Sequence, residues 1–194
     1  MALTKVTEDM TSGISDESGL TSVQTFTSSG TWNRPTGVTK VIVYVTGGGG
    51  SGSGSGSTNY AGGGAGTAIK FIDVSSISSA TVTVGAGGAS SSGATGNNGG
   101  ASSWSDGTNT LTGNGGLAGS TSTATGGGGT ASGGDLNFAG AMGIYFNTGG
   151  VSYWGGGTAT DFNASSVGGM GGGSKHATAS PAAPGGLVYV EEYK

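Results

Sequence analysis

Asp106, Asp135, Asp161, Glu191 and Glu192 are carboxylates from which an acid–base pair could be drawn. Glycoside hydrolysis needs two such groups facing one bond. Asp106 stands before Gly107 and is better explained by a turn, and the spacing of the other four marks no pair. The single histidine, His176, sits in GGGSKHATASP, and the chain has no cysteine. One imidazole without thiolates makes no zinc site, and a catalytic base would need an orienting acid and a nucleophile. His176 reads as a surface-loop residue. Gly47, Gly49 and Gly52 satisfy G-x-G-x-x-G in letters after the strand-like VIVYVT. A dinucleotide site needs a helix to begin there, and SGSGSGSTNYAGGG cannot start one. Asn163-Ala164-Ser165 is a glycosylation sequon that matters only in a secreted chain. The expectation is a protein that is not an enzyme and takes no metal and no cofactor.

The residues with contact chemistry are aromatic. Phe138, Tyr145, Phe146, Tyr153, Trp154 and Phe162 all fall in DLNFAGAMGIYFNTGGVSYWGGGTATDF, 135–162. Tyr and Trp give large contact area at low entropic cost, and aromatic faces also stack on sugars. With His176 they are the candidate receptor contacts; the competing reading is an apolar cluster that caps a fold.

What must position them is unusual. Of 194 residues 47 are Gly, only 8% are charged and 32% are apolar, with a formal net charge of -4. So little positive charge leaves no electrostatic footprint for nucleic acid or acidic lipid. Glycine loses more backbone freedom on folding than any other residue. A Gly-Ser linker would carry no Trp, and collagen would show glycine at every third position with abundant proline. An ordered fold in which glycine sits where side chains have no room is the remaining explanation.

The pattern predicts an all-β chain: a β-sandwich with long glycine-rich loops or polyglycine-II-like segments. Strands are expected near 24–27, 40–46, 68–74, 80–84 and 187–193, with a hairpin over 102–113 turned at Asp106-Gly107. In 40–46 the valines at 41, 43 and 45 face one way and Ile42 and Tyr44 the other, so both faces are apolar and both should be covered. Core positions are Val41, Val43, Val45, Val82, Val84, Val188 and Val190, with Trp32 packing nearby. Glycine blocks at 47–57, 62–66, 85–88, 126–134, 155–157 and 168–173 lie between the strands. Extended three-residue-per-turn glycine strands can lie nearly backbone to backbone and satisfy one another's amides and carbonyls. Residues 1–23, polar and of mixed charge, form a separate N-terminal segment, and 24–194 the glycine-rich β domain. MALTKVTEDMTSGISDESG contains no apolar stretch of a signal peptide, so synthesis in a cytoplasm is expected.

FTSSGTWNRPTGVTKVIVYVTGGGGSG, TVTVGAGGASSSGATGNNGGASSW and APGGLVYVEEY occur in that order over 25–193. Together they resemble the glycine-rich domain of bacteriophage tail-fibre and tail-tip proteins, related to the polyglycine-rich phage adhesins. The resemblance implies a virion protein, made in the host bacterial cytoplasm, that attaches the particle to the host surface. Its partners would be other tail proteins, joined through the N-terminus with Leu3, Val6 and Met10 as contacts, and a host receptor, either a glycan or an outer-membrane protein. It also implies a homo-oligomer, of which a trimer is one form, and glycine segments stacked as polyglycine helices whose connecting loops choose the receptor. Receptor contacts would then lie in 135–162 and 174–180. Serines interrupting the glycine blocks depart from the pattern and argue against a complete hexagonal lattice. Three readings compete: a purely structural virion protein, an ice-binding polyglycine protein with a flat face of small residues, and a depolymerase with a carboxylate pair.

Overall fold

The computed structural model describes residues 19–54, 60–92, 95–120, 126–144, 148–157, 170–174 and 182–194. Ten strands are found among them, and no helix. They are β1 (Leu20–Phe26), β2 (Gly30–Asn33), β3 (Lys40–Thr46), β4 (Thr67–Asp73), β5 (Ser79–Thr83), β6 (Ser102–Ser105), β7 (Thr110–Gly113), β8 (Ala131–Ser132), β9 (Leu136–Phe138) and β10 (Leu187–Tyr193). Two antiparallel five-stranded sheets form, in the orders β1-β10-β3-β4-β9 and β2-β5-β6-β7-β8.

The alternation of β-branched residues decides which face goes inward. Val41, Val43, Val45, Val188 and Val190 from the first sheet are fully buried, and Val82, Trp104 and Leu111 close over them from the second. Val84 is only partly buried and packs at the margin of this core. Trp32 is not an accessory to the sandwich but part of it. It lies on β2, paired with Ala80 of β5, and its ring meets Trp104 at 6.0 Å. The first strand starts at Leu20, earlier than its sequence pattern indicated, because β1 keeps pairing with β10 as far as Tyr193. β6 and β7 form the hairpin expected at Asp106-Gly107, and Gly107 has φ of 92°. The side chain of Asp106 accepts from the backbone N–H of Thr108 (2.8 Å) and of Asn109 (2.6 Å).

Several strands run straight into glycine. β3 continues as 47–54 and returns through 60–66 into β4; β5 and β6 are extended by 85–92 and 95–101; β7 and β8 by 114–120 and 126–130; β9 runs on into 140–144 and 182–186 leads into β10. These extensions form a lattice with a period of three residues. The N–H groups of Gly47, Gly50 and Ser53 donate to the carbonyls of Gly66, Gly63 and Tyr60. Those of Gly48 and Ser51 donate to Gly100 and Asn97, and that of Gly49 to Pro184. The carbonyls of Gly48 and Ser51 accept from Gly116 and Gly119, that of Gly49 from Gly88 and that of Gly50 from Ser174. The 47–54 segment therefore has six neighbours: 60–66, 95–101, 182–186, 114–120, 85–92 and 170–174. The 60–66 segment also has six: 47–54, 114–120, 170–174, 140–144, 126–130 and 148–151. Three donor and three acceptor directions per turn produce this hexagonal arrangement, in which neighbouring segments supply the partners that buried amides require.

Serine does not break the lattice. Ser51, Ser53 and Ser174 are fully buried inside it, and the Oγ atoms of Ser51 and Ser174 accept from the N–H groups of Asn97 (2.8 Å) and Gly52 (3.1 Å). The expected obstacle is absent because a hydroxymethyl group placed between segments replaces a main-chain bond instead of leaving one unmade.

Candidate functional site

The outer face of the first sheet carries the described aromatic candidates. Register places Tyr189, Tyr44, Ile69 and Leu136 in one row across β10, β3, β4 and β9, and Leu187, Thr46, Thr67 and Phe138 in the next. A tight turn lies over these rows. Ala141 N–H donates to the Val151 carbonyl, Ser152 N–H to that of Gly155 (3.0 Å), and Ser152 Oγ to that of Met170. Gly155 takes a positive φ of 139°, which this reversal uses.

The turn delivers Tyr153 and Trp154. The Trp154 indole N–H donates to Thr46 Oγ1 at 2.9 Å, and Thr46 Oγ1 lies 2.8 Å from Thr67 Oγ1. The Trp154 ring then sits 5.6 Å from Tyr44 and 5.8 Å from Tyr189. Tyr153 stands against it edge to face at 5.2 Å, 6.1 Å from Tyr44 and 5.7 Å from Phe138, whose plane is tilted from its own by 33°. Five aromatic rings thus stand in sequence, each pair tilted or edge-on and none stacked face to face. Phe138 and Tyr153 are 43% and 49% exposed, while Tyr44, Trp154 and Tyr189 are partly buried beneath them. Burial, followed by the nearby Glu191 carboxylate, raises the Tyr44 phenol above its ordinary pKa, so it stays a hydroxyl. Glu191 also accepts from the Tyr193 hydroxyl at 2.9 Å.

Of the candidate contacts, Phe138, Tyr153 and Trp154 are brought together. Tyr145, Phe146, Phe162 and His176, and the N-terminal Leu3, Val6 and Met10, lie outside the described residues. Tyr44 and Tyr189 belong to the cluster as well. Their alternation along β3 and β10 was visible in the sequence, but not what covers that face.

The carboxylates serve the scaffold. Glu192 is fully buried and accepts from Trp32 Nε1 (2.7 Å), Gln24 Nε2 (2.7 Å) and Ser22 Oγ, tying β10 to β1 and β2. Asp135, just before β9 begins, pairs with Lys70 at 3.0 Å and accepts from the Phe71 N–H, bonding β4 beyond its last pair with β9. Hydrogen bonds from Lys70 and Phe71 hold the exposed Asp135 carboxyl below its usual range. Glu191 and Glu192 are adjacent on β10 and point to opposite faces. Asp161 lies outside the described residues.

A two-sheet antiparallel sandwich prolonged into a hexagonal glycine lattice defines a glycine-rich β architecture. The model of one family, described as a glycine-rich domain, matches residues 21–187, and the chain belongs to that family. No curated protein matches the chain.

Proposed function

We propose that this protein is a bacteriophage tail-fibre or tail-tip component that attaches the particle to the host-cell surface by binding, without catalysis. The observation that carries the reading is the patch where Phe138 of β9 meets Tyr153 and Trp154 of the 152–155 turn, with two rings half exposed and already held in place. Preorganised aromatic surface is what a recognition site requires, because little entropy remains to be lost on binding. The order of the three glycine-rich sequence motifs supports the phage assignment. A second feature supports display: segments 47–54, 85–92, 114–120 and 140–144 each run away from the strand that precedes them. Several copies per particle would turn weak single contacts into firm attachment.

The test is binding of labelled protein to a panel of bacterial strains, alongside a folded variant carrying Phe138→Ala and Tyr153→Ala. Selective binding by the wild type, reduced about tenfold or more in the variant, is the expected result. A purely structural role in the virion is the second reading, favoured by Leu20 and Val23 on the edge strand β1, which are 56% and 46% exposed. On that reading no strain is bound, and the protein co-sediments with other tail proteins through β1.

A further inference from the structure

We propose that the aromatic patch is a saccharide-stacking site whose ligand is a neutral hexopyranose unit of a surface glycan, an inference that rests on the attachment reading above. Phe138 and Tyr153 are the stacking rings, and Trp154 is a positioning residue. The geometry narrows the ligand by elimination. Ring centroids 5.2–6.1 Å apart mean that the aromatics fill the space between themselves, so the patch is a platform and not a cage for a quaternary ammonium group. Nucleobases also stack on such rings, but their phosphates need a basic groove. Here the formal net charge is -4 and Glu191 stands beside the tyrosines. Anionic ligands meet the same obstacle.

Size separates a sugar from a protein partner. Two aromatic rings, each about half exposed, offer on the order of 200 Å². Leu136 and Phe71, 56% and 53% exposed on the same face, bring the apolar surface of these four side chains to about a few hundred Å². A stable protein interface needs roughly 800 Å² from each partner. One or two sugar rings fit the smaller figure. A pyranose lays its C–H face on an aromatic ring and turns its hydroxyls outward. Tyr44, Tyr189 and Glu191 lie on the same face of the sheet to meet them, Glu191 two residues along β10 from Tyr189. The Trp154–Thr46 hydrogen bond fixes the ring that supports Tyr153, so the platform is rigid before a ligand arrives.

The experiment titrates the full chain with maltoheptaose, cellohexaose, mannohexaose and hexa-N-acetylchitohexaose, and with protein-free lipopolysaccharide or capsular polysaccharide from each strain of the panel. Tryptophan fluorescence is the readout; Trp32 and Trp104 are fully buried, so a ligand-dependent change reports Trp154. Saturable binding to at least one saccharide is expected, weakened about tenfold in Tyr153→Ala and largely kept in Tyr153→Phe, with circular dichroism unchanged. Trp154→Phe should lose the fluorescence signal and weaken binding measured by calorimetry less than Tyr153→Ala does. Absence of binding to every saccharide overturns the proposal. If cell binding then still depends on Phe138 and Tyr153, the patch is an attachment site for a protein receptor. If cell binding ignores both residues, the attachment reading of this patch falls as well.

Discussion

A methyl group added at Gly63 would overlap the carbonyl oxygen of Gly127, which is itself held in the lattice. No side-chain rotation relieves a clash with main chain. Gly63→Ala is therefore expected to destabilise the protein by about 3 kcal/mol or more, at the upper end of overpacking penalties. Gly156→Ala adds its methyl to open space and should change stability by less than about 0.5 kcal/mol. Thermal unfolding of the two variants checks the contrast. Asp106 gives a second test. Its partial burial opposes ionisation, but bonds from the Asn109 side chain and from the backbone N–H groups of Asn109 and Thr108 outweigh it and hold the carboxyl below its ordinary value. A group with a depressed folded pKa contributes stability that is present above its unfolded pKa and lost as pH falls through the folded one. Wild type should thus exceed Asp106→Ala in stability at neutral pH, with the gap narrowing as the medium is made acid below the ordinary carboxylate range. Denaturant unfolding at a series of pH values measures that gap.

At the scale of elements, the lattice makes a claim about hydrogen exchange. Amides in 62–66 are buried and bonded to neighbouring segments, so they should exchange as slowly as those of β3. Rapid exchange across 62–66 beside a protected β3 would show that the segment does not order. β3 and β10 were legible because their valines alternate, β5 because its Val82 alternates with the Val84 that follows the strand, and the β6–β7 hairpin because Asp-Gly accepts the required turn. β2, β8 and β9 have two to four residues each, too few for a period to show. The glycine segments were recognisable by composition, yet their six-neighbour order was not, since no side-chain pattern encodes which backbone lies beside which. The same division holds at the site. Phe138, Tyr153 and Trp154 were visible as aromatic density, whereas Tyr44 and Tyr189 become part of the patch only through strand register and the turn at 152–155.

For the whole molecule, sandwich and lattice are expected to unfold as one cooperative structure. The 182–186 segment completes the surroundings of 47–54, and β10, which follows it, lies between β1 and β3. Unfolding followed by far-ultraviolet circular dichroism and by fluorescence of the buried Trp32 and Trp104 should give coincident transitions. Removal of residues 182–194 should abolish both signals together instead of trimming one edge.

A lattice with a period of three residues and few side chains at its core, all of them small, has a further property. Sliding one glycine segment along its neighbours by three residues restores nearly the same set of main-chain bonds, so the lattice alone is degenerate in alignment. The valine strands that enter it are not, because a one-residue slip would turn the buried row outward. The sandwich is thus the vernier that selects one alignment from many near-equal ones. A chain whose glycine tracts condense before the strands pair would be trapped out of step, with its errors confined to multiples of three.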